Sequence, residues 1–167
     1  MKRGTSRGAA LPGFTLIEVL IVIVVLGIIF GVGSVQFRGF ARRQAVVSAK
    51  RQLLADIRSS QADAVSGRKP PGCSGTLVGY GFRVTSSSPA AYQTFAVCDS
   101  EVVIKQVQIP DVAFSVNFSS PPTPSGTLIF LPLARGTNLS AGVRMRVDIT
   151  NSSSSSSLVV EASGEIQ

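Results

Sequence analysis

The chain has 167 residues, 44% of them hydrophobic, with a formal net charge of +7, two cysteines and no histidine. That length allows one membrane segment plus one domain of about 100 residues, still large enough to bury a core. No CxxC pair, GxSxG, HExxH or phosphate-binding glycine loop occurs, so nothing points to a catalytic residue, a cofactor or a metal.

Residues 1–13 form a short basic segment, with Lys2, Arg3 and Arg7 ahead of Ala9, Ala10, Leu11, Pro12 and Gly13. The run from Phe14 to Val35, FTLIEVLIVIVVLGIIFGVGSV, follows. Its 22 residues, at about 1.5 Å each, suffice to cross the ~30 Å hydrocarbon layer of a bilayer. An ordinary secretory signal is cut after its apolar region, at a site of small residues. None follows here, because Gln36, Phe37, Arg38, Gly39 and Phe40 lead into another helical pattern. The natural cut lies ahead of the apolar run.

Glu18 is the only charge in that run. A carboxylate inside lipid costs a few kcal/mol, so it calls for a neutralising partner, or for a place at the end of the span where it reaches headgroups or water. A freed Phe14 amine offers such a partner, since i and i+4 share a helix face, and the pair could form within one chain or between chains. Gly27 and Gly31 make a GxxxG pair, which either lets two helices approach closely or softens the segment.

Past the apolar run, residues 36–66 continue as an amphipathic helix. Val46, Val47, Leu53, Leu54, Ile57 and Val65 recur at spacings near three, four and seven. A helix from Phe14 to Ser66 would be about 80 Å long if straight. Gly67 to Gly75, with Pro70 and Pro71, ends it. Charge is concentrated here: residues 38–69 carry eight basic and two acidic side chains, and residues 70–167 carry five basic and six acidic. The C-terminal part is nearly neutral.

Residues 67–167 read as an antiparallel β domain. Strands are predicted over Leu77–Val84, Tyr92–Cys98, Glu101–Ile109, Val112–Phe118, Thr127–Leu133, Val143–Ile149 and Leu158–Ala162. Val143, Met145, Val147 and Ile149 alternate with Arg144, Arg146 and Asp148, the mark of a sheet with one wet face. Ser86–Pro89, Ser119–Gly126 and Asn151–Ser157 read as turns, the last as a flexible hairpin loop. One long helix followed by short strands gives an α+β fold, with the helix laid across a sheet.

Gly13-Phe14-Thr15-Leu16-Ile17-Glu18, after a basic leader and before an unbroken apolar helix, resembles the class III signal of type IV pilins and type II secretion pseudopilins. The resemblance implies cleavage between Gly13 and Phe14 by a prepilin peptidase and N-methylation of Phe14 by the same enzyme. It implies that Glu18 pairs with the amino terminus of a neighbouring subunit. Its partners would be other pilin or pseudopilin subunits and an inner-membrane assembly platform. The chain would cross the cytoplasmic membrane once, leader inside and C-terminal domain outside, before entering a pilus or pseudopilus filament. Tyr80-Gly81-Phe82-Arg83-Val84 and Ser163-Gly164-Glu165-Ile166 look most like the H-type, FimT-like minor pseudopilins, except that Glu165 replaces the usual basic residue.

In that topology Cys73 and Cys98 lie where disulfides persist, which favours a bridge over two free thiols. A second reading is a DNA-uptake minor pilin, with Arg68, Lys69, Arg135, Arg144 and Arg146 on phosphates, against which the nearly neutral domain counts. A third is a single-span anchored interaction module, in which the bond before Phe14 stays intact.

Overall fold

A computed structural model describes residues 13–119 and 127–167, with the backbone alone for residues 32–38. The predicted leader up to Pro12, the turn residues 120–126 and the side chains at the end of the predicted span lie outside the described residues. The chain divides into two units, residues 1–38 and 39–167.

Helix α1 (Leu16–Ser66) starts in the first unit. Every described side chain there, from Phe14 to Phe30, is exposed, because no described residue of the unit covers it. Among the described residues no helix is long and apolar enough to cross a membrane. The last four residues of the predicted span over 14–35, residues 32–35, lie beyond the described side chains.

In the second unit α1 packs on two antiparallel sheets, where a single sheet was expected. Strands β1 (Gly79–Ser86), β2 (Ala90–Val97), β3 (Glu101–Ile109) and β5 (Leu128–Phe130) form a four-stranded sheet in the order β3-β2-β1-β5. Strands β4 (Ala113–Phe118), β6 (Arg144–Thr150) and β7 (Ser155–Glu161) form a three-stranded sheet in the order β4-β6-β7. The split follows from β4, whose register runs against β6, with Phe114 opposite Ile149. It meets the β1–β2 hairpin through bonds such as Phe114 N to Ser87 O and through the Phe114 ring, without joining that sheet's ladder.

The buried face of α1 is Val46, Ala49, Leu53, Ile57, Ser60 and Ala64, at intervals of three and four. Val47 and Val65, predicted on this face, are 40% and 46% exposed. Small residues take their place because alanine and serine let the helix sit close to the strands. Ser60 is satisfied locally, its hydroxyl donating to Asp56 O at 3.1 Å. Opposite, Tyr80, Phe82, Tyr92, Phe114, Leu128 and Phe130 form the core, with Phe82 and Phe114 tilted against Tyr92 at centroid distances of 5.6 and 6.1 Å.

Polar contacts hold the helix to the sheets. Asp56 accepts from Tyr92 Oη at 2.6 Å and from Lys105 Nζ at 2.7 and 2.8 Å. Further along, Gln61 Nε2 donates to Gly164 O at 2.9 Å. Asn151 Nδ2 donates to Arg42 O at 2.6 Å.

Two glycines in β1 are required by close approach. A Cβ on Gly81 would lie 2.2 Å from Phe95 Cζ, and one on Gly79 would lie 2.4 Å from Phe130 O. Phe95 thus folds over Gly81 on the outer face of the sheet, where Arg83 stacks on it at 4.8 Å and pairs with Glu101. Cys73 and Cys98 are bonded, with a Cα–Cα distance of 5.7 Å, tying the segment after the helix to the end of β2.

β6 alternates as predicted, with Val143, Met145, Val147 and Ile149 buried. The serine tract does not form a long flexible loop. Asn151 Oδ1 accepts from the amides of Ser153 and Ser154 at 3.0 and 2.9 Å, closing a tight turn. Ser155, Ser156 and Ser157 then pair with Thr150, Ile149 and Asp148 as the start of β7. The predicted strand Thr127–Leu133 stops at Phe130, because Leu133 and Ala134 turn the backbone with φ of 60° and 57°.

Candidate functional site

The N-terminal segment is built around Thr15. Gly13, Phe14 and Thr15 precede the helix, and Thr15 caps it: its carbonyl accepts from Val19 N at 3.3 Å, and its Oγ1 accepts from Glu18 N at 3.3 Å. Glu18 is the third helical residue, so Thr15 and Glu18 stand in the spacing of a capping box, beside the positive end of the helix dipole. The Thr-x-x-Glu spacing carries this signal in the sequence.

The Glu18 carboxylate has no hydrogen bond or ion pair among the described residues. Phe14 lies outside the helix and is 82% exposed. The face-sharing of i and i+4 therefore does not by itself bring its backbone nitrogen beneath Glu18 in one chain. Leu16, Ile17, Leu20, Ile23, Ile28 and Phe30 are each more than half exposed, so the segment is an apolar surface with one unanswered acid near its start. Among the described residues, a Cβ on Gly27 or Gly31 would meet nothing within 4 Å.

The residues expected on nucleic acid come from three segments of the chain. Arg144 Nε binds Glu161 Oε1 at 3.1 Å and Arg146 Nε binds Asp148 Oδ1 at 2.7 Å, so both cations of β6 are neutralised in place. Lys69 Nζ donates to Gly75 O. Arg68, whose carbonyl accepts from Tyr80 Oη, is exposed just past the end of α1, and Arg135 is exposed in the turn after β5. The fold thus does not collect these five into one patch through any contact between them. Of the two acids at the β2–β3 turn, Glu101 is taken by Arg83, while Asp99 lies over Gly75.

Residues 12–34 match a family model described as the prokaryotic N-terminal methylation motif. The match spans Gly13, Phe14 and Glu18 and stops before the β domain. No curated protein and no solved structure matches the chain.

Proposed function

We propose that the chain is a minor subunit of a type IV pilus or a type II secretion pseudopilus. In this reading it is made as a prepilin, cut between Gly13 and Phe14, methylated on Phe14 and polymerised through α1. The observation that carries the reading is the methylation motif over residues 12–34, which marks a type IV pilin-like or pseudopilin subunit. Two structural features support the finer reading. The segment from Phe14 to Phe30 leaves its apolar side chains uncovered, a surface suited first to lipid and then to the helices of neighbouring subunits. Among the described residues no donor or cation meets the Glu18 carboxylate, so an amine from another subunit can neutralise it in a medium where an unpaired acid is costly.

The role is structural, with the cytoplasmic membrane as the first residence and the prepilin peptidase, other subunits and an assembly platform as partners. The β domain, bridged by Cys73 and Cys98, is placed outside the cytoplasm, where such bonds persist.

The test is Glu18→Val in a cell that owns the peptidase. The variant is expected to lose its thirteen-residue leader normally and to enter filaments poorly. Incorporation equal to wild type would overturn the pairing role, and a wild-type chain whose mass shows the leader still attached would overturn the whole reading.

A further inference from the structure

One side of α1 carries cations that the fold leaves unanswered. Arg43, Val47, Arg51, Leu54 and Arg58 follow one another at intervals of four, four, three and four, which places them on one helix face. The buried residues Val46, Ala49, Leu53, Ile57 and Ser60 occupy the adjoining face, about a third of a turn around the helix, with Leu54 at the border. Arg43, Arg51 and Arg58 are exposed, Val47 is 40% exposed, and Leu54 is half-buried between them.

The acids of this domain lie elsewhere. Among the described residues the ion pairs are Arg83–Glu101, Lys105–Asp56, Arg144–Glu161 and Arg146–Asp148, and none reaches this row. Asp56 is held by Lys105 and Tyr92, and Asp63 lies half-buried on the flank that faces Tyr80. The remaining domain acids, Asp99, Asp111 and Glu165, sit on the β2–β3 turn, the β3–β4 turn and the C-terminal segment. They offer no acidic face that a second copy could present.

We propose that this face docks on an acidic surface of a different filament subunit, and that two copies of this chain do not dock through it. The proposal rests on the filament-subunit reading above. Two such faces brought together would set arginine against arginine, and like charges in apposition exclude that pairing. A fitting partner carries carboxylates spaced by about 11 Å along roughly 22 Å of surface, matching seven- and eight-residue steps of helix. Apolar contacts between them would cover Val47 and Leu54. Each guanidinium can take a carboxylate through two parallel N–H bonds, so the row reads both charge and spacing.

The experiment places a benzoylphenylalanine photo-cross-linker at Val47 of the full chain, in cells that assemble the filament, and identifies the adduct by mass spectrometry. The expected product is a second protein with the same N-terminal motif, joined at a segment containing Asp or Glu. Adding Arg51→Glu and Arg58→Glu is expected to reduce the adduct at least tenfold, and Arg51→Lys with Arg58→Lys to retain most of it, both with the leader removed normally. An adduct with a second copy of the chain, an adduct with lipid, or none from a processed chain would each overturn the proposal. A chain that keeps its leader overturns the reading beneath it, and the N-terminal mass separates that failure from the others.

Discussion

The Tyr92 hydroxyl donates to Asp56 Oδ2 across 2.6 Å, joining β2 to α1 through the core. Tyr92 is wholly buried, and the same carboxylate takes Lys105 from the outermost strand of the sheet. One acid thus satisfies a buried donor while a half-exposed ammonium, 47% accessible, keeps the acid neutralised.

Asp56→Ala is expected to cost more than Tyr92→Phe. The first strands a buried hydroxyl without an acceptor, at about 2–3 kcal/mol, and the second removes one bond while Asp56 keeps Lys105, at about 1 kcal/mol. Urea unfolding followed by tyrosine fluorescence or circular dichroism checks the order. Equal costs would mean that the stranded Tyr92 hydroxyl carries no penalty.

Alkaline pH should loosen the domain through the same residue. Burial pushes the Tyr92 hydroxyl above its ordinary value of 10.0, helped by its bond to Asp56 and by the Asp56 charge. Tyr80 shifts the same way, chiefly through burial and then through Asp63, with Arg68 opposing. The folded state holds these protons more tightly than the unfolded state. Stability should therefore be level up to the ordinary tyrosine value and fall above it, by about 1.4 kcal/mol per pH unit for Tyr92 alone. Tyr92→Phe should flatten the slope between pH ~10 and ~11.5 in a series of denaturant titrations.

Gly81→Ala is expected to destabilise by about 1–3 kcal/mol, since the new methyl meets the Phe95 ring and the ring must lift from the sheet. Lifting it also displaces Arg83 from its stacked position. Amide exchange along β1 and β2 should rise with the loss. Alanine at Gly142, where a Cβ meets nothing within 4 Å but φ is +81°, separates crowding from backbone strain.

Removing the bridge through Cys73→Ala and Cys98→Ala should lower stability by about 3 kcal/mol, from the freedom returned to a 25-residue separation in the unfolded chain. Denaturation midpoints with and without a reductant test this. The wild type should shift on reduction and the double variant should not.

The sequence made the segment order legible, because each segment has a strong local signal. The apolar run, the Gly67–Gly75 breaker and the alternation through Val143–Ile149 are all of this kind. What escaped depended on partners far along the chain. Phe95 is buried on the outer side of a sheet only because Gly81 makes room and Arg83 covers it, and no local pattern reports that. The serine tract looked like a loop because serine is poor in strands, yet β6 dictates pairing as far as Ser155. Val47 and Val65 were assigned to the core by hydrophobicity, whereas close packing chose Ala49 and Ala64. At the motif, Glu18 is legible as a lone acid, and the structure adds that it lies in the first turn of a Thr15-capped helix.

Gln61 holds Gly164 across 103 positions of sequence, so the helix and the segment that clasps it are made at very different times. Synthesis delivers the scaffold first and its fastening last. Until the strands that cover them are made, Leu53 and Ile57 have no sheet to pack on.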